Sequence, residues 1–186
     1  YSFLASIDFI NAKASLAEYL NAIEPNIKMK PMVDMIEAKH PLLKLSLEKQ
    51  GKKVVPLDIT LTPQKRILII SGPNAGGKSV CLKTTGIIQY MLQCGLSVPV
   101  SERSTLGIFS DIMIDIGDEQ SIENDLSTYS SPLLNMKNMI RQAHRQSLLL
   151  IDEFGTGTGP GIGGAIAEAV LKQFCEHGAF GVITTH

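Results

Sequence analysis

The 186-residue chain has few cysteines, and nothing in their spacing would pair them. Cys81, Cys94 and Cys175 lie far apart and form no C-x-x-C motif. An odd number of widely spaced cysteines is typical of thiols kept reduced in the cytosol, and it argues against a disulfide framework or a zinc site. We therefore expect a cytoplasmic protein.

The chain also lacks long apolar runs and an excess of positive charge. It has no stretch of about 18 uncharged apolar residues and no basic segment leading into an apolar one, so we expect no membrane span and no signal peptide. Its 17 basic and 18 acidic residues leave a net charge of −1. Non-specific binding to nucleic acid depends on Lys and Arg side chains that neutralise phosphates. Because the chain has no excess of them, we expect other parts of the protein to bind any DNA.

A hydrophobic content of 44% is enough for one domain with a core. Residues 2–21 predict an amphipathic helix, because apolar side chains recur at helical spacing: Phe3, Ile7, Ile10, Ala14 and Ala17. This helix either packs on the domain or continues a long helix from an upstream domain, and its position favours the second. We expect residues 1–24 to end such a connecting helix. Residues 25–186 would then form a domain that is truncated at its C-terminus.

The segment GPNAGGKS carries the first chemical pattern. It fits G-x-x-x-x-G-K-[ST], the phosphate-binding loop of nucleotide triphosphatases, between an apolar strand pattern and a helix pattern that runs to about Gln93. Glycines let backbone N–H groups surround phosphate oxygens, Lys78 supplies a cation and the Ser79 hydroxyl can bind Mg²⁺. The expected nucleotide-binding residues are Gly72, Pro73, Asn74, Ala75, Gly76, Gly77, Lys78, Ser79 and Val80.

The second pattern is the run SLLLIDE, residues 147–153. Consecutive apolar residues predict a buried parallel strand, and carboxylates at its C-terminal end lie where α/β sheets bind ligands. Asp152 is predicted to hold the Mg²⁺ shell and Glu153 to polarise an attacking water. A last strand over residues 181–186 would place His186 at a similar position, within reach of a γ-phosphate.

The remaining patterns complete an α/β fold with a mostly parallel sheet flanked by helices. Residues 54–61 and 108–116 predict strands, whereas residues 96–100 fit either a short strand or a loop. Helices are expected over residues 132–144 and 162–176.

Two further segments, GDEQSIENDLSTYSS and DEFGTGT, stand beside GPNAGGKS and LLLIDE. Together they make the chain resemble the ATPase domain of MutS proteins, in the ABC-ATPase class of P-loop folds, and most closely the type 2 MutS branch. The resemblance implies an ATPase that uses ATP and Mg²⁺ and works as a homodimer. It also implies a role in DNA mismatch repair or recombination control, in which ATP-driven dimer closure gates a DNA clamp through the upstream helices.

The same resemblance implies roles for particular residues. Ser127 and Thr128 of one subunit would cap the γ-phosphate bound by the other subunit. Gln120 would lie near the metal and the attacking water, and His186 would be the switch histidine. The adenine would lie by two residues of the first half of the chain: Val54 and Val55.

The chain departs from the MutS pattern at two positions. Gly159 stands where an acidic residue is usual, which predicts weaker partner-facing contacts and slow hydrolysis. Pro132 replaces a histidine, so we expect the helix start to be kept but not any role of that histidine. One alternative, an ABC transporter ATPase subunit, would show a Gly-Gly-Gln signature that the chain lacks after Ser127. The other alternative, a nucleotide-binding scaffold with little turnover, is favoured by Gly159 and opposed by Glu153.

Overall fold

The computed structural model describes residues 2–73, 77–116, 130–155 and 160–185. Within these ranges the chain forms five helices: α1 (Ser2–Leu20), α2 (Pro41–Glu48), α3 (Lys78–Gln93), α4 (Ser130–Gln142) and α5 (Pro160–His177). The same ranges contain eight strands: β1 (Asn26–Lys28), β2 (Val33–Ala38), β3 (Leu57–Leu61), β4 (Ile67–Ser71), β5 (Thr105–Gly107), β6 (Asp111–Asp115), β7 (Ser147–Ile151) and β8 (Phe180–Thr185). The predicted α/β class is confirmed.

The chain divides into two units, each of which is built on its own sheet. The first unit comprises Tyr1–Thr60 and Lys83–Ile108, and the second comprises Leu61–Leu82 and Phe109–His186. The sequence predicted one mostly parallel sheet, but the structure has two four-stranded sheets, of which one is wholly parallel. The domain boundary predicted near residue 24 stays a prediction.

The sheet of the first unit has the strand order β1-β5-β2-β3 and mixes strand directions. β5 runs parallel to β1 and antiparallel to β2. In β2, Val33 and Met35 are fully buried and Asp34 between them is not, as expected for a strand with one face on a core. β3 begins at Leu57, later than predicted, directly after Pro56, which has no N–H to donate to a neighbouring strand.

Gly107 at the end of β5 lies against the backbone of a neighbouring segment. A Cβ atom added there would be 2.1 Å from the Lys30 carbonyl oxygen and 2.5 Å from the Met32 nitrogen. The Gly107 carbonyl also accepts a 2.8 Å hydrogen bond from Nε2 of Gln89, a fully buried side chain of α3. Only glycine fits this close approach without moving the backbone.

The helix predicted over residues 2–21 is confirmed as α1, but the predicted apolar stripe is not buried. Phe3 and Ile7 of that stripe are 75% and 48% exposed. Only the C-terminal end of the described helix is anchored in the unit. Leu20 is buried there, and its carbonyl accepts a 2.8 Å hydrogen bond from the ammonium of the buried Lys44. A positive charge at a helix C-terminus is stabilising.

Helix length and hydrophobicity also bear on membrane insertion. Among the residues that the structure describes, no helix is long and apolar enough to cross a bilayer.

The sheet of the second unit has the order β4-β8-β7-β6, and all its strand pairs are parallel. All five residues of β7 are buried, as the apolar run predicted. The two helices that precede and follow β7 pack their apolar residues against the strands. The core of this unit consists of Met139, Ala143, Leu149, Ile151, Phe154, Val170, Phe174, Ala179 and Ile183.

The strand register brings the C-terminal ends of the four parallel strands to one edge. Ser71 of β4 pairs with Thr185 of β8, and Asp115 of β6 pairs with Ile151 of β7. Because the strands are parallel, the segments that follow them leave from the same edge, where open α/β sheets bind their ligands. This edge of the sheet carries the candidate site.

Other predicted boundaries differ by a few residues. The strand predicted over residues 108–116 is the shorter β6, and β5 precedes it as a separate strand. Two helices begin earlier than predicted, at Ser130 instead of Pro132 and at Pro160 instead of Ile162. Helix ends depend on local capping bonds that hydrophobic periodicity does not display.

We expect Gly107→Ala to lower the free energy of unfolding by about 3 kcal/mol, because a methyl group would overlap backbone atoms that cannot rotate away. Urea unfolding followed by circular dichroism measures this change.

Gly164→Ala in α5 is the matched control, since a Cβ atom there would meet nothing within 4 Å. Alanine is favoured over glycine in a helix by about 1 kcal/mol, so this variant should be at least as stable as the parent. Equal urea midpoints for the two variants would contradict the close approach at Gly107.

Candidate functional site

The predicted phosphate loop lies between the end of β4 and the start of α3. Gly77 has φ 79°, a left-handed conformation that favours glycine, and its carbonyl accepts a 2.9 Å hydrogen bond from the Cys81 N–H. Lys78 is the first residue of α3, which ends at Gln93 as predicted. Gly72 and Pro73 form the start of the loop. The rest of the predicted loop lies outside the described residues: Asn74, Ala75 and Gly76.

Lys78 is buried, with 5% of its surface exposed. Its ammonium donates hydrogen bonds to two backbone carbonyls, that of Gly72 at the start of the loop and, at 2.7 Å, that of Thr185 at the end of β8. Within the described residues no carboxylate forms an ion pair with Lys78. Because a buried charge is costly without an opposite charge, this arrangement fits an anion bound beside the loop.

The first turn of α3 supplies the other groups predicted for phosphate and metal. Ser79 is half-buried and Val80 is 42% exposed, and both follow Lys78 at the positive end of the helix dipole. Helix N-termini favour anions because their first N–H groups have no partner within the helix. The contacts of Ser79 and Val80 with nucleotide and metal stay a prediction.

Asp152 and Glu153 follow β7 directly, as predicted. The Asp152 N–H donates a 2.9 Å hydrogen bond to the Asp115 carbonyl at the end of β6. Glu153 has φ 53°, a left-handed conformation that is uncommon for a residue with a side chain. Its N–H donates a 2.8 Å hydrogen bond to Oγ1 of Thr184. Strained residues of this kind occur preferentially at functional sites.

β8 connects the loop to the acidic turn through two adjacent residues. The Thr185 carbonyl accepts from Lys78, and the hydroxyl of the preceding residue, Thr184, donates to Oδ1 of Asp152. The tertiary structure thus places the lysine and the aspartate of the two sequence patterns beside one strand end.

Two residues at this edge were missed by sequence reasoning. Thr184 is a fully buried residue of β8 whose hydroxyl contacts the Asp152 carboxylate and the Glu153 N–H. Asp115 ends β6, where burial raises the pKa of its carboxyl and a side-chain hydrogen bond from Asn135 of α4 acts in the opposite direction. Both are polar residues at the C-terminal end of an apolar strand, which is the pattern that could have identified them.

Several predicted site residues cannot be placed. Four residues with predicted roles lie outside the described residues. They were predicted to lie near the metal, to cap the γ-phosphate bound by the other subunit and to act as the switch histidine: Gln120, Ser127, Thr128 and His186. Of the partner-facing loop predicted over residues 155–159, only Gly155 is described. Val54 and Val55 belong to the first unit, before β3, where Val55 is 86% exposed. Their predicted contact with adenine stays a prediction.

The described residues fit ATP and Mg²⁺. Mg²⁺ prefers oxygen ligands, and Ser79 and Asp152 offer a hydroxyl and a carboxylate. The buried Lys78 ammonium, held only by neutral carbonyls among the described residues, fits the charge of a triphosphate.

Comparison with known proteins gives a consistent result. The profile of MutS domain V matches residues 68–186, more than half of the chain. Endonuclease MutS2 of Carboxydothermus hydrogenoformans is 46% identical over 186 residues, which are 100% of this chain and 23% of that protein. Endonuclease MutS2 of Levilactobacillus brevis is 45% identical over 183 residues, 98% of this chain and 22% of that protein.

A third relative, Endonuclease MutS2 of Agathobacter rectalis, is 44% identical over 186 residues, 100% of this chain and 23% of that protein. The chain thus spans less than a quarter of the length of these curated relatives. Their shared name supports the predicted type 2 branch. The chain belongs to the MutS domain V family, the ATPase domain of MutS proteins, which confirms the predicted resemblance to MutS.

Proposed function

We propose that the chain binds and hydrolyses ATP as the P-loop ATPase domain of a MutS2-like protein. The observation that carries the proposal is the buried Lys78 ammonium, which shares the end of β8 with the acidic turn after β7. Among the described residues Lys78 has no carboxylate partner, and the turn after β7 brings two carboxylate residues to the same strand end. Together these groups fit a triphosphate with its metal ion.

Each residue then has a distinct task. Lys78 binds the β- and γ-phosphates, and the oxygens of Ser79 and Asp152 hold Mg²⁺, which when bound neutralises charge that develops on the phosphates. Glu153 accepts a proton from the attacking water. Gln120 would contact that water, and His186 would contact the γ-phosphate.

We further propose that the working unit is a homodimer with shared sites. Ser127 and Thr128 of one subunit approach the γ-phosphate bound to Lys78 of the other. Phosphoryl transfer depends mainly on positioning and charge stabilisation, so a site that lacks these donors turns over slowly. Gly159, in place of the usual acidic residue, would weaken the partner-facing contacts further and slow hydrolysis.

The function of the whole protein is proposed from its relatives. Because the chain spans 22–23% of proteins named Endonuclease MutS2, DNA binding and any nuclease activity belong to other segments. The net charge of −1 agrees with a segment that does not hold DNA by itself. ATP binding would favour the closed dimer and, through α1, shift the population of open and closed DNA clamps in mismatch repair or recombination control.

Lys78→Ala should weaken ATP binding at least tenfold, because it removes the buried ammonium that meets the phosphates. Isothermal titration with ATP in Mg²⁺ buffer measures the affinity. Lys83→Ala is the matched control, since Lys83 lies on the same helix and is exposed. If both variants bind ATP as the parent does, the assignment of the phosphate loop is wrong.

Glu153→Gln should retain ATP affinity and lower kcat by about 10²- to 10⁴-fold, since a general base contributes rate enhancements of that order. Release of phosphate under saturating ATP gives kcat. Glu168→Gln is the matched control, because it makes the same substitution at an exposed residue of α5 away from the site. This variant should hydrolyse ATP at the parent rate. Unchanged turnover in Glu153→Gln would exclude the general-base role.

The shared site predicts that the rate per subunit rises with protein concentration and reaches a plateau as dimers form. Phosphate release and light scattering should be measured over the same concentration series. A rate per subunit that stays constant at concentrations where the protein is monomeric would refute a site completed by a second copy.

A further inference from the structure

Thr184 is a fully buried polar residue near the C-terminal end of β8. Its hydroxyl contacts both residues of the acidic turn that follows β7, Asp152 and Glu153. Oγ1 accepts a 2.8 Å hydrogen bond from the Glu153 N–H and donates to Oδ1 of Asp152. A hydroxyl has one proton to give and two lone pairs to receive, so one side chain satisfies both contacts.

Two further hydrogen bonds join the same turn to β8. The Phe154 N–H donates a 2.8 Å hydrogen bond to the Thr184 carbonyl, and the Thr185 hydroxyl donates at 3.1 Å to the Phe154 carbonyl. Both bonds hold the residue directly after Glu153, whose φ of 53° requires such support. The contact at the Glu153 N–H itself comes from the Thr184 side chain.

We propose that Thr184 is a positioning residue of the ATPase site, whose hydroxyl sets the orientation of Asp152 toward the metal ion and of Glu153 toward the attacking water. The proposal rests on the proposed function and assigns a residue that neither sequence pattern contains. Thr184 does not touch nucleotide in this scheme, because it acts through the two carboxylate residues.

A side chain without a hydroxyl at position 184 would leave two polar groups of the turn without their hydrogen-bond partner. Valine has nearly the same shape as threonine and would fill the same space in the buried strand. It would leave the Glu153 N–H without its acceptor and one carboxylate oxygen of Asp152 without its donor. The turn would then relax, whereas the Lys78 contacts with the Gly72 and Thr185 carbonyls would remain.

The test compares Thr184→Val with Thr184→Ser in the full-length protein. Serine keeps the hydroxyl and should restore what valine loses. Val182→Ala is the matched control for stability, because Val182 is a fully buried residue of the same strand with no part in the site. Thr184→Ala replaces the valine variant if that variant does not fold.

Three quantities separate positioning from stability. ATP affinity without divalent metal should stay within about twofold of the parent in every variant. Binding of Mn²⁺ to the complex with a non-hydrolysable ATP analogue, followed by electron paramagnetic resonance, should weaken about tenfold in Thr184→Val. Loss of a group that orients a metal ligand typically costs about 10- to 100-fold in activity, so kcat should fall by that factor and recover in Thr184→Ser.

The outcomes distinguish this proposal from the proposed function. If the parent protein neither binds nor hydrolyses ATP, the proposed function fails. If the parent does both and Thr184→Val matches it in Mn²⁺ affinity and kcat, only the role of Thr184 is overturned. A loss in Val182→Ala equal to that in Thr184→Val, or no recovery in Thr184→Ser, would also overturn it, because the effect would then follow strand stability.

Discussion

The site depends on one buried charge, the ammonium of Lys78. It lies where the loop after β4, the first turn of α3 and the end of β8 meet, and it donates to carbonyls of the loop and of β8. These neutral acceptors hold the charge in place but do not cancel it. The pairing of β4 with β8 therefore does two things at once, because it builds the sheet and holds a cation ready for an anionic ligand.

β8 is the strand through which the two chemical patterns meet. Thr185 accepts from Lys78, and Thr184 contacts Asp152 and Glu153. The pattern residues lie about 75 positions apart in the chain, and parallel strands bring their C-terminal ends to a common edge. A change in the register of β8 would separate Lys78 from Asp152 and Glu153, even though the sequence would still contain all three residues.

Much of this arrangement followed from local pattern. The glycine-rich loop with its Lys78, the buried strand β7 and the helices α1, α3, α4 and α5 were all predicted, because strand burial and helix periodicity are properties of short segments. The mixed sheet of the first unit was not predicted. Its strands β1 and β5 have three residues each, too few to show an alternating pattern.

The sequence by itself determined which residue types stand where the proposed chemistry needs them, since phosphate binding and water activation require a few residue types at fixed spacing. Tertiary structure alone decided three things: the burial of Lys78, the left-handed backbone of Glu153 and the contacts of the Thr184 hydroxyl with the Asp152 carboxylate and the Glu153 N–H. Each of these depends on hydrogen bonds between segments that are distant in the chain. Such bonds form only when the parallel sheet sets its register, and no local pattern specifies them.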